Sequence, residues 1–251
     1  MTKHIGLDPA GKGWFGVVLH DDGGWEADLF PSIWSLWKYH SDATNVFVCV
    51  PIGLPSDGRR LCDRKAKARL GGRAASVFYA PVREAVYEGN LDDAKEINER
   101  AGFSIQNQAW SAVPRIREVD EFLDMYPSAR DRLVETHPEL CFYALNGRTP
   151  LDAGKRTEAG AKQRAALLAE EHPGAEAIYE EAVARFTEPA YAPMVSGAHD
   201  VLDALVAAVT ARRAPEGVST LPERAPTDER GLPMRITYPE DTEQTRLSAL
   251  S

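Results

Sequence analysis

Residues 3–30, KHIGLDPAGKGWFGVVLHDDGGWEADLF, hold three short apolar runs broken by PAGKG and by DDGG. Breakers of that kind between apolar runs are turn signals, so HIGLD, GWFGVVLH and WEADLF read as three strands of an antiparallel meander. In PSIWSLWKYH (31–40), Ile33, Trp34, Leu36 and Trp37 recur at helical spacing behind a Pro-Ser start, which predicts a helix packed on the meander. NVFVCVP (45–51) is an unbroken apolar run stopped by proline, the pattern of a buried central strand running parallel to the first. A mixed sheet covered by helices, an α/β domain, is the expectation.

Outward from this core, the stretch from about 55 to 127 turns mostly helical and charged, as in DDAKEINERAG, and is expected to be a helical insertion against the sheet. DRLVETHPELCFYALNG (131–147) supplies a further buried strand, LVETH, and a helix. Two more helices fit GAKQRAALLAEEH and AEAIYEEAVARF. SGAHDVLDALVAAVTARR (196–213) is the clearest helix, with an apolar stripe of Val201, Leu202, Leu205, Val206 and Val209 and two arginines at its C-terminal end. One domain over 1–213 is expected. Residues 214–251, with five of the 17 prolines, are expected to form an irregular tail, its apolar GLPMRITYP segment lying against the body.

A chain of 251 residues that is 43% hydrophobic and 27% charged has ordinary globular composition, which excludes wholesale disorder, collagen and coiled coil. Cys49, Cys62 and Cys141 are odd in number and widely spaced, so they make neither a disulfide framework nor a zinc module and point to a reducing compartment. MTKHIGLD lacks an apolar leader core, and no stretch approaches the roughly 18 apolar residues of a membrane span, so a cytoplasmic protein with no membrane partner is expected. A net charge of -9 argues against nucleic-acid binding through bulk charge. Distribution runs the other way: RRLCDRKAKARLGGR (59–73) sets Arg59, Arg60, Arg64, Lys65, Lys67, Arg69 and Arg73 against Asp63 alone. Such a patch suits either a solvated helix face or contact with phosphates.

Four acids fall at the ends of buried elements. Asp8 ends the first strand; Glu135 follows Leu133 and Val134, where an unpaired ionised side chain would cost several kcal/mol. Asp200 and Asp203, three apart on one helix, share a face about 5–6 Å apart at Cβ. Like charges so close raise each other's pKa and favour a cation, and carboxylate oxygens suit Mg²⁺ or Mn²⁺. Each acid has a plainer reading. Asp8 can cap a turn before Pro9, Glu135 can pair with Arg132 or another base, and Asp200 can serve a helix start.

IGLDPAGKGWFGVV, VPIGLP, CDRKAKARLGGRAASVFYAP, SIQNQAWSAVPRIREVD, VETHPELCFYALNGRTPL, HDVLDALVAAVTA and GLPMRI, in that order, resemble the ribonuclease-H-like nucleases grouped as domain of unknown function 429, from about Ile5 to Ile236. The resemblance implies a ribonuclease-H-like fold: a five-stranded mixed sheet, its first three strands antiparallel, flanked by helices. It also implies a metal-dependent nuclease that hydrolyses phosphodiesters by a two-metal mechanism, with acids on strand one, strand four and the last helix. Asp8 then corresponds to the strand-one acid, Asp200 and Asp203 to the final-helix acids, and Glu135, with His137 and Glu139, to the E-x-H-P-E segment. In CVPIGLP, Cys49 stands where the strand-four carboxylate is expected, and a thiol is a poor partner for Mg²⁺.

The functional expectation is a Mg²⁺- or Mn²⁺-dependent nuclease acting on DNA or RNA. Asp8, Glu135, Asp200 and Asp203 are expected to hold the metal, with His137 or His199 relaying protons. Phosphate is expected to meet Arg59, Arg60, Arg64, Lys65, Arg69 and Arg73, with Gln106 and Arg115 of the SIQNQAWSAVPRIREVD motif; an ion-pair network with Glu118 and Asp120 would look the same. A homodimer follows by analogy with resolvases of this fold. One alternative keeps the fold without catalysis, as a nucleic-acid or protein binding module impaired at Cys49. A third is nucleotide phosphotransfer, since PAGKGWFGV is faintly similar to a phosphate loop of the sugar-kinase and actin superfamily, which needs two such halves.

Overall fold

Strands β1 (Lys3–Ala10), β2 (Gly13–His20) and β3 (Trp25–Phe30) form the meander in a computed structural model that describes residues 2–191, 194, 195 and 197–240. β1 pairs antiparallel with β2 from Lys3 opposite His20 to Ala10 opposite Gly13, and β2 pairs antiparallel with β3. Helix α1 (Ile33–His40) opens with a capping box: the Ser35 N–H donates to Ser32 Oγ at 3.2 Å, and the Ser32 N–H donates to Ser35 Oγ at 3.1 Å. Strand β4 (Asn45–Val48) then lies parallel to β1. The helical insertion follows as α2 (Leu61–Leu70), α3 (Arg83–Val86), α4 (Leu91–Arg100) and α5 (Asn107–Met125). Strand β5 (Leu133–Glu135) joins β4 in parallel, which completes the order β3-β2-β1-β4-β5. This mixed five-stranded sheet, flanked by helices, is the ribonuclease-H-like arrangement.

Alternation along the strands builds two cores. Ile5, Leu7, Trp14 and Val18 face α1 and α5, where Ile33, Leu36, Ile116, Val119 and Phe122 cover them. Phe15, Val17 and Leu19 face the other layer, made of α6 (Pro138–Leu145), α7 (Glu158–Glu171), α8 (Ala175–Phe186) and α9 (Ala198–Arg213). α9 lies directly on β1. A Cβ added at Gly6 would stand 2.1 Å from the Ala204 carbonyl oxygen and 2.2 Å from the Ala208 nitrogen, so only glycine admits this backbone-to-backbone approach.

The irregular tail expected after residue 213 is corrected by a strand pair: β6 (Val218–Leu221) and β7 (Ile236–Pro239) form an antiparallel ribbon. Thr237 bridges to Thr136, whose hydroxyl donates to the Thr237 carbonyl at 2.7 Å, and Leu221, Ile236 and Tyr238 are buried in the α9 core. The two strands are separated by a long loop, and four-residue strands carry too little alternation to show in sequence. Residues 241–251 of that expected tail lie outside the described residues. The three cysteines are free thiols, and among the described residues no helix is long and apolar enough to cross a membrane.

Candidate active site

Parallel strands present their carboxyl ends at one edge of a sheet, the usual place for chemistry in such folds. Leu7 pairs with Val48, and the Cys49 N–H donates to the Leu7 carbonyl at 2.9 Å, so Asp8 and Cys49 lie side by side where the β1–β4 pairing stops. Asp8 does not end the first strand as expected, since β1 runs on to Ala10 against β2. The close seating of α9 on β1 carries Asp200 and Asp203 to the same edge. Asp8, Cys49, Asp200 and Asp203 all line one cavity of about 820 Å³, and the three aspartates are 9%, 5% and 1% exposed.

Lys155, from the loop before α7, puts its ammonium against Asp203 Oδ2, while Asp203 Oδ1 has no hydrogen-bond partner among the described residues. His199 Nε2 lies 3.3 Å from Asp200 Oδ1. Burial, and then Asp203, push the Asp8 carboxyl well above the usual carboxylate range, against the pull of Lys155. Burial raises Asp203 too, with Lys155 opposing. For Lys155, burial alone would lower the ammonium, but Asp203, Asp8 and Asp200 outweigh it and raise it. Asp203 is matched by Lys155, whereas burial beside Asp203 drives Asp8 toward its neutral, protonated form. Cys49 is held as a neutral thiol by burial, then by Asp8 and Asp203, and donates to the Asp203 carbonyl at 3.9 Å.

Glu135 is not brought to this set. Its Oε1 accepts from Arg60 Nη2 at 2.7 Å, and its Oε2 accepts from Arg60 Nη1 at 2.8 Å and from the Ile52 N–H at 2.7 Å. Both oxygens are committed to a guanidinium that also binds Asp63 at 2.6 Å, so the metal-ligand expectation for Glu135 gives way to a buried ion pair. The short β5 turns Glu135 toward the loop after β4, away from α9. His137 does line the cavity, with Nε2 3.3 Å from the Ser76 carbonyl and Nδ1 buried without a partner among the described residues, and burial lowers its pKa. Glu139 lines it too, paired with the fully buried Arg164 at 2.5 Å.

The expected phosphate contacts divide. Arg73 and Arg115 line the cavity, Arg115 in an ion pair with Glu118. Arg60 also lines it, spent on Glu135 and Asp63. Arg59 stacks over Tyr79 and Phe103, Arg69 lies over Tyr238, and Arg64 and Lys65 are exposed on α2; none of the four lines the cavity, nor does Gln106, the residue before α5. In their place stand Lys12, Gln108, Lys155 and Arg156. Lys12 and Lys155 sit in glycine-bearing loops with no periodicity to mark them, and only the tertiary fold sets them against the aspartates.

Among the described residues no three His, Cys, Asp or Glu side chains are already gathered as a metal cage. The chemistry of Asp8, Asp200 and Asp203 nonetheless fits a hard cation, because carboxylates from two elements meet in one cavity and a buried Asp203 oxygen has no partner among the described residues. Comparison with curated proteins and with solved structures returns no match. A family model described as Protein of unknown function (DUF429) matches residues 6–227, a span that runs from β1 through α9 and into the tail. The chain therefore belongs to the DUF429 family.

Proposed function

We propose that the protein hydrolyses phosphodiester bonds of nucleic acid with the help of Mg²⁺ or Mn²⁺. The observation that carries this reading is the convergence of three buried aspartates from β1 and α9 on one cavity whose lining also includes Lys12, Arg73, Arg115 and Arg156. Asp8, Asp200 and Asp203 would hold the cation, which when bound supplies an activated water and charge relief at the leaving oxygen. The basic residues around the cavity orient the phosphate. Burial holds His199 below its ordinary pKa despite Asp200, so at neutral pH its ring can accept a proton beside that carboxylate.

A panel of single-stranded, hybrid and branched DNA and RNA, assayed with Mg²⁺, Mn²⁺ or chelator, tests the proposal and selects the substrate. Asp8→Asn and Asp203→Asn should each lower cleavage by more than about 100-fold, beyond what loss of a group behind a metal ligand costs. Full cleavage by both variants would overturn it. The neutral Cys49 thiol at the end of β4 favours a second reading, a binding module that has lost catalysis. In that case the wild type is silent and Cys49→Asp gains cleavage, whereas wild-type turnover excludes it.

A further inference from the structure

We infer that Lys155 is a built-in counter-ion standing in for one of the two metal ions of the expected mechanism, so that the site takes a single divalent cation. This rests on the proposed function above and narrows it. Two ions need acids on three elements, yet at β4 the side chain is the thiol of Cys49, and both oxygens of Glu135 are held by Arg60. What remains is three aspartates, and Lys155 already sits among them on Asp203 Oδ2. Asp203 Oδ1, buried with no partner among the described residues, gives one divalent ion a ready oxygen, with Asp8 and Asp200 lining the same cavity.

Lys155 is placed by construction. A Cβ on Gly160 would meet the Gly154 carbonyl oxygen at 2.0 Å, so the loop carrying Lys155 lies directly on the first turn of α7. The fully buried Arg164 donates to the Ala153 carbonyl at 3.1 Å and the Gly160 carbonyl at 3.0 Å, and pairs with Glu139. Thr157 closes the turn, its N–H and hydroxyl donating to the Gly154 carbonyl at 2.9 and 2.8 Å. A loop anchored at both Ala153 and Thr157 holds its ammonium in place without a ligand.

The test is Mn²⁺ binding to the full chain without nucleic acid, read by electron paramagnetic resonance and titration calorimetry. Wild type and Lys155→Arg should bind one Mn²⁺. Lys155→Met should bind a second ion, or bind the first at least about tenfold tighter, since an opposing charge at this range shifts such equilibria by that much. Gly160→Ala, which displaces the loop but keeps the lysine, should shift binding in the same direction, and it answers for Lys155→Met should that variant not fold. Two ions in the wild type would overturn the inference while leaving the proposed function intact, as would unchanged Mn²⁺ binding in folded Lys155→Met. No Mn²⁺ bound by the wild type would overturn both.

Discussion

Glu135 shares one buried guanidinium, that of Arg60, with Asp63, so two carboxylates face one positive charge inside the protein. Burial, opposed by Arg60, pushes the Glu135 carboxyl from its ordinary 4.5 up to about 7. Between those values the folded chain holds a proton that the unfolded chain has released. Stability is therefore greatest below the unfolded value and is lost as pH rises through the folded one. Glu135→Gln, which does not titrate, should flatten this dependence, so that its stability relative to wild type rises by on the order of 3 kcal/mol from pH 5 to pH 8, whatever the offset at pH 5. Urea unfolding at the two pH values measures it. Parallel curves would mean that Arg60 keeps Glu135 ionised throughout. Arg132, three residues before Glu135 and the partner expected for it, donates instead to the Ser41 and Ala43 carbonyls. Which base meets a buried acid is decided by packing between elements, and spacing along the chain does not show it.

Among the elements, the contact of β1 with α9 controls the site, because it alone joins Asp8 to Asp200 and Asp203. Gly6 makes that contact through backbone atoms, which cannot move aside as a flexible side chain can. Gly6→Ala should lift α9 off the sheet, cost about 3 kcal/mol, the upper end of ordinary overpacking, and abolish Mn²⁺ binding even under conditions where the variant remains folded. Denaturant titration and the Mn²⁺ measurement check the two halves. A variant of unchanged stability that binds the ion would remove Gly6 from the argument. The apolar stripe of α9 and the acid pair Asp200 and Asp203 were both legible from helical period. The glycine was not, since its meaning depends on Ala204 and Ala208, some 200 residues away in sequence.

Across the whole molecule, Asp228 joins regions far apart in the chain. Its side chain is fully buried, with Oδ1 accepting from the Arg230 and Leu232 N–H groups at 2.9 and 2.8 Å and Oδ2 accepting from the Leu54 N–H at 3.0 Å and from Arg83. It thus ties the loop after β4 and the helical insertion to the last ribbon. Asp228→Asn breaks a buried charge pair and should destabilise the protein by roughly 3 kcal/mol, because Arg83 keeps Asp120 as a partner and the loss falls at the low end for such pairs. Thermal unfolding with probes on both segments should show them loosening together. Independent melting of the tail would mean that the ribbon is an accessory.

The meander, the parallel strand after it, the helical insertion, the last helix and the three aspartates that meet in the candidate site can all be read along the chain. All of these rest on local signals: turn residues, the two- and 3.6-residue periods, and acids at the ends of apolar runs. Contacts between distant segments were needed to show that Glu135 serves Arg60, that Lys155 enters the acid cluster, that most of the basic run 59–73 lies outside the cavity, and that the tail carries a strand pair. Each of these depends on which distant backbone comes within hydrogen-bonding reach, and side-chain charges act over a few ångströms through space with no regard for separation along the chain.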